Sequence, residues 1–102
     1  MSIPSRLRVS VQKDTLLVKA LLGHPMENGF GKDADGQPVP AEFIQEIRLF
    51  LNEQLVTHCA TGSGIAANPL FGWRLKGKSG DRIRLTWHDN LGRSGTLEAL
   101  AS

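Results

Sequence analysis

Residues 71–92 read FGWRLKGKSGDRIRLTWHDNLG, and the alternation inside this stretch decides the kind of fold the chain adopts. Phe71, Trp73 and Leu75 alternate with Gly72, Arg74 and Lys76. After the breaker Gly77-Lys78-Ser79-Gly80-Asp81 the pattern resumes, with Ile83, Leu85 and Trp87 alternating with Arg82, Arg84 and Thr86. Successive side chains of a strand point to opposite faces, so each run is a strand with one apolar row and one wet row. Antiparallel sheets covered on a single face carry that pattern. The second run ends in Asp89-Asn90-Leu91-Gly92, whose Asp at the first position and Gly at the fourth suit a type I turn.

Working outward, Leu7, Val9 and Val11 alternate with Arg6, Arg8 and Ser10 in the same way. Residues 16–22 differ. Leu16, Val18, Ala20 and Leu22 fall on one side and Leu17, Lys19 and Leu21 on the other, which asks for a central place in a sheet or a cover on both faces. Short connections such as Lys13-Asp14 join these runs, and regular turns between short strands predict an all-β sandwich. Residues 40–51, PAEFIQEIRLFL, fit two readings. Ile44, Ile47 and Leu51 make a helical stripe supported by good helix formers and by Pro40 at a first turn. Ile47, Leu49 and Leu51 make a strand row instead, closed into a hairpin with Leu55 and Val56 by Asn52-Glu53, a weaker turn pair than Asn-Gly.

At 102 residues the chain has the size of one domain, residues 1–102, and hides roughly two-thirds of its extended surface. Twelve Lys and Arg against ten Asp and Glu leave a formal charge of +2, too mild to demand nucleic acid as a partner. Phe71, Trp73 and Trp87 also lie on apolar rows, where they pack inward and form no stacking platform for bases. No apolar run approaches the ~20 residues of a membrane span. The opening residues lack the long apolar segment of a secretory signal, so the sequence predicts no export route of its own.

Few residues combine into chemistry. With Gly36 as the sixth position of a calcium loop, Asp33 and Asp35 fall at the third and fifth and Glu42 at the twelfth. Gly31 stands where the first carboxylate belongs, and prolines interrupt the second half, so a solvated Asp-Gly turn is preferred. His24, Met26, His88 and Cys59 are the residue types of a copper site without its compact ligand loop, and dispersed, mostly solvent-facing histidines are expected. His58 and Cys59 adjoin in sequence but point apart on a strand, which leaves the thiol without a base. The expectation is a protein with no catalytic residues, no cofactor and no metal. Arg6, Arg8, Arg48, Arg74, Lys76, Arg82 and Arg84 occupy polar rows as a basic stripe or as a solvated face that protects strand edges. Phe50 sits on a polar row beside Arg48, and with Leu17 and Leu21 it forms the candidate partner interface. Residues 24–40, HPMENGFGKDADGQPVP, form a Gly- and Pro-rich loop long enough to suggest a function.

The series Lys19 to Gly29 and Lys32 to Ile44 resembles the SoxZ family of sulfur-oxidation proteins. Its markers are His24, Pro25, Met26 and Glu27, then Lys32, Asp33, Asp35 and Gly36, and later Asn68-Pro69, Gly80-Asp81 and Thr86-Trp87 before Asp89-Asn90-Leu91-Gly92. The resemblance implies an immunoglobulin-like antiparallel β-sandwich that pairs with a SoxY-like carrier subunit as a heterodimer or higher assembly. The partner's C-terminal cysteine carries sulfur intermediates during thiosulfate oxidation in the periplasm, and other sulfur-oxidation enzymes dock transiently. It also implies a strand over residues 40–51, export in company with a signal-bearing partner, and no carrier role for Cys59. The alternative is a stand-alone immunoglobulin-like structural or adhesion module.

Overall fold

The computed structural model describes residues 4–24, 26, 29, 32–38, 40–61 and 69–102. Among them are seven strands: β1 (Arg6–Gln12), β2 (Thr15–Leu21), β3 (Ile44–Leu51), β4 (Gln54–Ala60), β5 (Leu70–Lys76), β6 (Arg82–Asp89) and β7 (Ser94–Leu100). They form two antiparallel sheets, ordered β1-β2-β5 and β4-β3-β6-β7. Pairing of β2 with β5 and of β3 with β6 requires the chain to cross between sheets, as in an immunoglobulin-like sandwich whose fourth strand lies beside the third. The all-β expectation holds.

The apolar rows meet between the sheets. Leu16, Val18, Ala20 and Leu22 from one side face Ile44, Ile47, Leu49, Ile83 and Leu85 from the other, all at 1% exposure or less. Each large aliphatic side chain so buried contributes about 1.5–3 kcal/mol. β2 is the middle strand of its sheet, and its second apolar row, Leu17 and Leu21, lies half-buried on the face turned away from the core. Phe71, Trp73 and Trp87 pack against this core as their rows predict.

Residues 44–51 form a strand, and a bulge explains why they also fit a helix. Ile44 pairs with Asp89 and Glu46 with His88, so Gln45 is an extra residue in β3. Ile44 and Ile47 therefore both face the core although three positions apart, a spacing that imitates a helical stripe. The hairpin to β4 turns on Asn52 and Glu53, at φ 49° and 70°. Two left-handed residues match the twist of the paired strands. Asn52 fastens the turn to the neighbouring loop: its side chain accepts from the Arg82 amide (2.9 Å) and donates to Asp81 (3.1 Å).

Candidate partner-binding faces and the motif loop

Beyond β2 the chain enters the motif loop and is held by buried contacts. The Leu22 amide donates to the Pro69 carbonyl at 3.0 Å, and His24 is only 3% exposed. This corrects the expectation of solvent-facing histidines in one case, while His58 and His88 are exposed. His24 Nδ1 accepts the Met26 amide proton at 3.1 Å, which places the ring proton on Nε2, 3.2 Å from Asp89 Oδ2. Trp87 meets the imidazole edge-on, ring centroids 5.5 Å apart. Trp87 in turn lies across Gly95, where a Cβ would stand 2.5 Å from the indole nitrogen. Met26, at φ 49°, accepts the Ile44 amide proton on its sulfur at 3.3 Å, tying the loop to the first residue of β3.

Asp89 is the hub of this end of the sandwich. Its Oδ1 accepts the amides of Leu91 (2.9 Å) and Arg93 (2.8 Å), while Oδ2 accepts Arg93 Nε (2.7 Å) and His24. Burial alone would push the carboxyl up, but the Arg93 amide, His24, the Arg93 guanidinium and the Leu91 amide outweigh it and hold the group below its ordinary value. Arg93 also pairs with Glu42, and Asn90 clamps residues 41–43 through the Phe43 amide (2.8 Å) and the Ala41 carbonyl (2.9 Å). The predicted turn at 89–92 is present, with the Gly92 amide bonded to the Asp89 carbonyl. Its partnership with His24 across 65 residues had no local signal in the sequence.

Lys32, Asp33, Asp35 and Gly36 lie at an exposed tip. Asp33 Oδ1 accepts the amides of Asp35 (2.9 Å) and Gln37 (3.0 Å), so this carboxylate shapes a turn, and Glu42 is committed to Arg93. Those bonds commit one oxygen of Asp33 and one of Glu42 to holding the chain and not to an ion. Among the described residues no group of His, Cys, Asp and Glu has metal-site geometry. Pro25, Glu27 and Asn68 lie outside the described residues, whereas Pro69 is buried. His58 and Cys59 point apart as expected, His58 toward Glu46 at 3.4 Å and Cys59 against the core.

The three residues expected to share an interface fall on opposite sides of the sandwich. Leu17 and Leu21 lie on the outer face of β1-β2-β5, and Phe50 on the outer face of β4-β3-β6-β7. Sequence alternation tells inward from outward within one strand, but it does not say which sheet the strand joins. The basic stripe divides likewise: Arg6, Arg8, Arg74 and Lys76 stand on the first face and Arg48, Arg82 and Arg84 on the second sheet.

The two faces differ in how far they satisfy themselves. On the second, Arg48 pairs with Glu46 (2.7 Å) and Arg84 with Glu53 (2.9 Å), and the Arg84 guanidinium also covers the Phe50 ring at 4.4 Å. On the first, β1, β2 and β5 contain five cations and no Asp or Glu. None of these cations has a carboxylate within ion-pair distance among the described residues.

No curated protein matches the chain in a sequence search. A family model does: residues 6–99, from the first residue of β1 almost to the end of β7, match the family described as sulphur oxidation protein SoxZ. With a match over nearly its whole length and the sandwich that the resemblance implied, the chain belongs to the SoxZ family of sulfur-oxidation proteins.

Proposed function

We propose that this sulfur-oxidation protein is the non-catalytic subunit of a two-chain sulfur carrier. It pairs with a SoxY-like subunit whose C-terminal cysteine holds the sulfur intermediates of thiosulfate oxidation, and the pair works in the periplasm after export on the partner's signal. The family match over residues 6–99 is the observation that carries this reading. Its support in the fold is a sandwich with apolar side chains on outer rows, including Leu70 at 69% and Leu100 at 62% exposure. Cys59 packs against the core on β4, on the opposite side of the strand from its neighbour His58, which is turned toward Glu46.

Co-expression with a SoxY-like chain and size-exclusion chromatography at micromolar concentration test the reading. The expected result is a stable complex that Cys59→Ser leaves intact and active in thiosulfate oxidation. A persistent monomer, or loss of sulfur transfer on Cys59→Ser with pairing intact, contradicts it.

A further inference from the structure

The chain's +2 formal charge conceals an uneven distribution. Five of its twelve Lys and Arg and none of its ten Asp and Glu lie in the sheet β1-β2-β5, so the remainder of the chain carries seven cations against ten acids. All five cations point outward, alternating with core residues. Strand register sets their layout. Arg6 stands opposite Leu21 and Leu21 opposite Leu70; Arg8 faces Lys19 and Lys19 faces Gly72; Ser10 faces Leu17 and Leu17 faces Arg74. Lys76, the last residue of β5, pairs with Thr15.

Two features follow from this layout. Leu17 and Leu21 flank Lys19 along the middle strand and further cations stand on both flanking strands, so one face offers apolar contact and charge pairing together, as a protein interface does. Gly72, opposite Lys19, leaves an open cleft of about 430 Å³ beside Leu17, Lys19 and Arg74. The face also has electrostatic work left undone. Arg8 and Lys19 are like charges directly across from each other, and no carboxylate of the sheet relieves them. Nucleic acid fits poorly, because the aromatics of this sheet, Phe71 and Trp73, pack against the core and the outer row offers leucines instead.

We propose that the outer face of β1-β2-β5 is the seat of the carrier partner and that the partner's matching surface is acidic. Its carboxylates pair with Arg6, Arg8, Lys19, Arg74 and Lys76, and an apolar side chain enters the cleft over Gly72 between Leu17 and Arg74. This deepens the carrier reading and rests on it. Burying these cations against a neutral surface would strand desolvated charges, so the partner's carboxylates are a requirement of docking here. The field of the unpaired cations also speeds encounter with that partner.

The test titrates the SoxY-like chain into this protein and into three folded variants, with thermal melts checking each. Arg8→Glu with Arg74→Glu, the rim variant, reverses charge on both flanking strands, Gly72→Leu fills the cleft without changing charge, and Arg48→Glu with Arg82→Glu makes the same charge change on the other sheet. A Cβ at Gly72 would meet only the Val18 carbonyl at 3.7 Å, an ordinary contact, so the cleft variant keeps the strand. The expected result is a loss of about tenfold or more in affinity for the first two and about twofold or less for the third. Wild-type affinity should also fall about tenfold between about 50 and about 500 mM salt, with a flatter dependence in the rim variant. A complex that forms but ignores both the rim and the cleft variants overturns the proposal and leaves the carrier reading standing. Absence of any complex overturns both. An oligothymidine of about twenty residues that binds this face more tightly than the partner at about 150 mM salt reassigns the face to nucleic acid and also overturns the proposal.

Discussion

Asp89 is the residue on which the motif loop depends, because its two oxygens bind a turn, an exposed arginine and a buried histidine together. Asn in its place keeps one acceptor for the turn amides but turns an NH2 group toward Arg93 Nε and His24 Nε2–H, donor against donor. Asp89→Asn is therefore expected to cost roughly 1–3 kcal/mol in a denaturant melt. The same group sets an acid limit. Its carboxyl titrates lower in the folded chain than in the unfolded one, so its contribution is fully present above about pH 4 and is lost as pH falls through the folded value. Melting temperature followed from pH 7 to pH 3 should drop on the acid side, with a smaller drop in Asp89→Asn; parallel curves for the two proteins would contradict this. The turn at 89–92 is legible from Asp and Gly spacing, because the backbone needs those residues locally. The hydrogen bond to His24 is not legible, since nothing within a turn's length of Asp89 names a partner 65 residues away.

At the level of elements, alternation identified β1, β5 and β6 because each is regular and half-buried. Residues 44–51 stayed ambiguous for a definite reason: the extra Gln45 shifts the period by one, and a single inserted residue makes a strand row resemble a helix face. The β3-β4 hairpin carries a local conflict of its own. Glu53 holds φ 70°, a conformation that disfavours a side chain, and its ion pair with Arg84 offers an exposed, weak compensation. Glu53→Ala loses the pair and keeps the conformational penalty, whereas Glu53→Gly loses the pair and removes it. The glycine variant should be about 1 kcal/mol more stable than the alanine variant, read from chemical melts of both. Equal stability would mean that the turn relaxes away from the left-handed region.

Across the whole molecule, stability and partner binding pull against each other at one position. Lys19 faces Arg8 across the β1-β2 ladder and shares its sheet with three further cations. Lys19→Glu replaces a like-charge pair with an opposite one and should stabilise the isolated chain by about 0.5 kcal/mol while weakening its complex with the SoxY-like subunit. A variant that binds as tightly as wild type would show that this face does not meet the partner. Strand faces, turns, apolar core rows and, through the motif series, the SoxZ family are legible in residue order, because each depends on neighbours a few residues apart. Tertiary structure alone decided which strands share a sheet. That choice separates Phe50 from Leu17 and Leu21, gathers five cations into a sheet whose three strands contain no Asp or Glu, and brings His24 to Asp89. The physical reason is that alternation gives each strand an inside and an outside at every register of two, while the choice of neighbour rests on how the core packs and where the chain crosses between sheets.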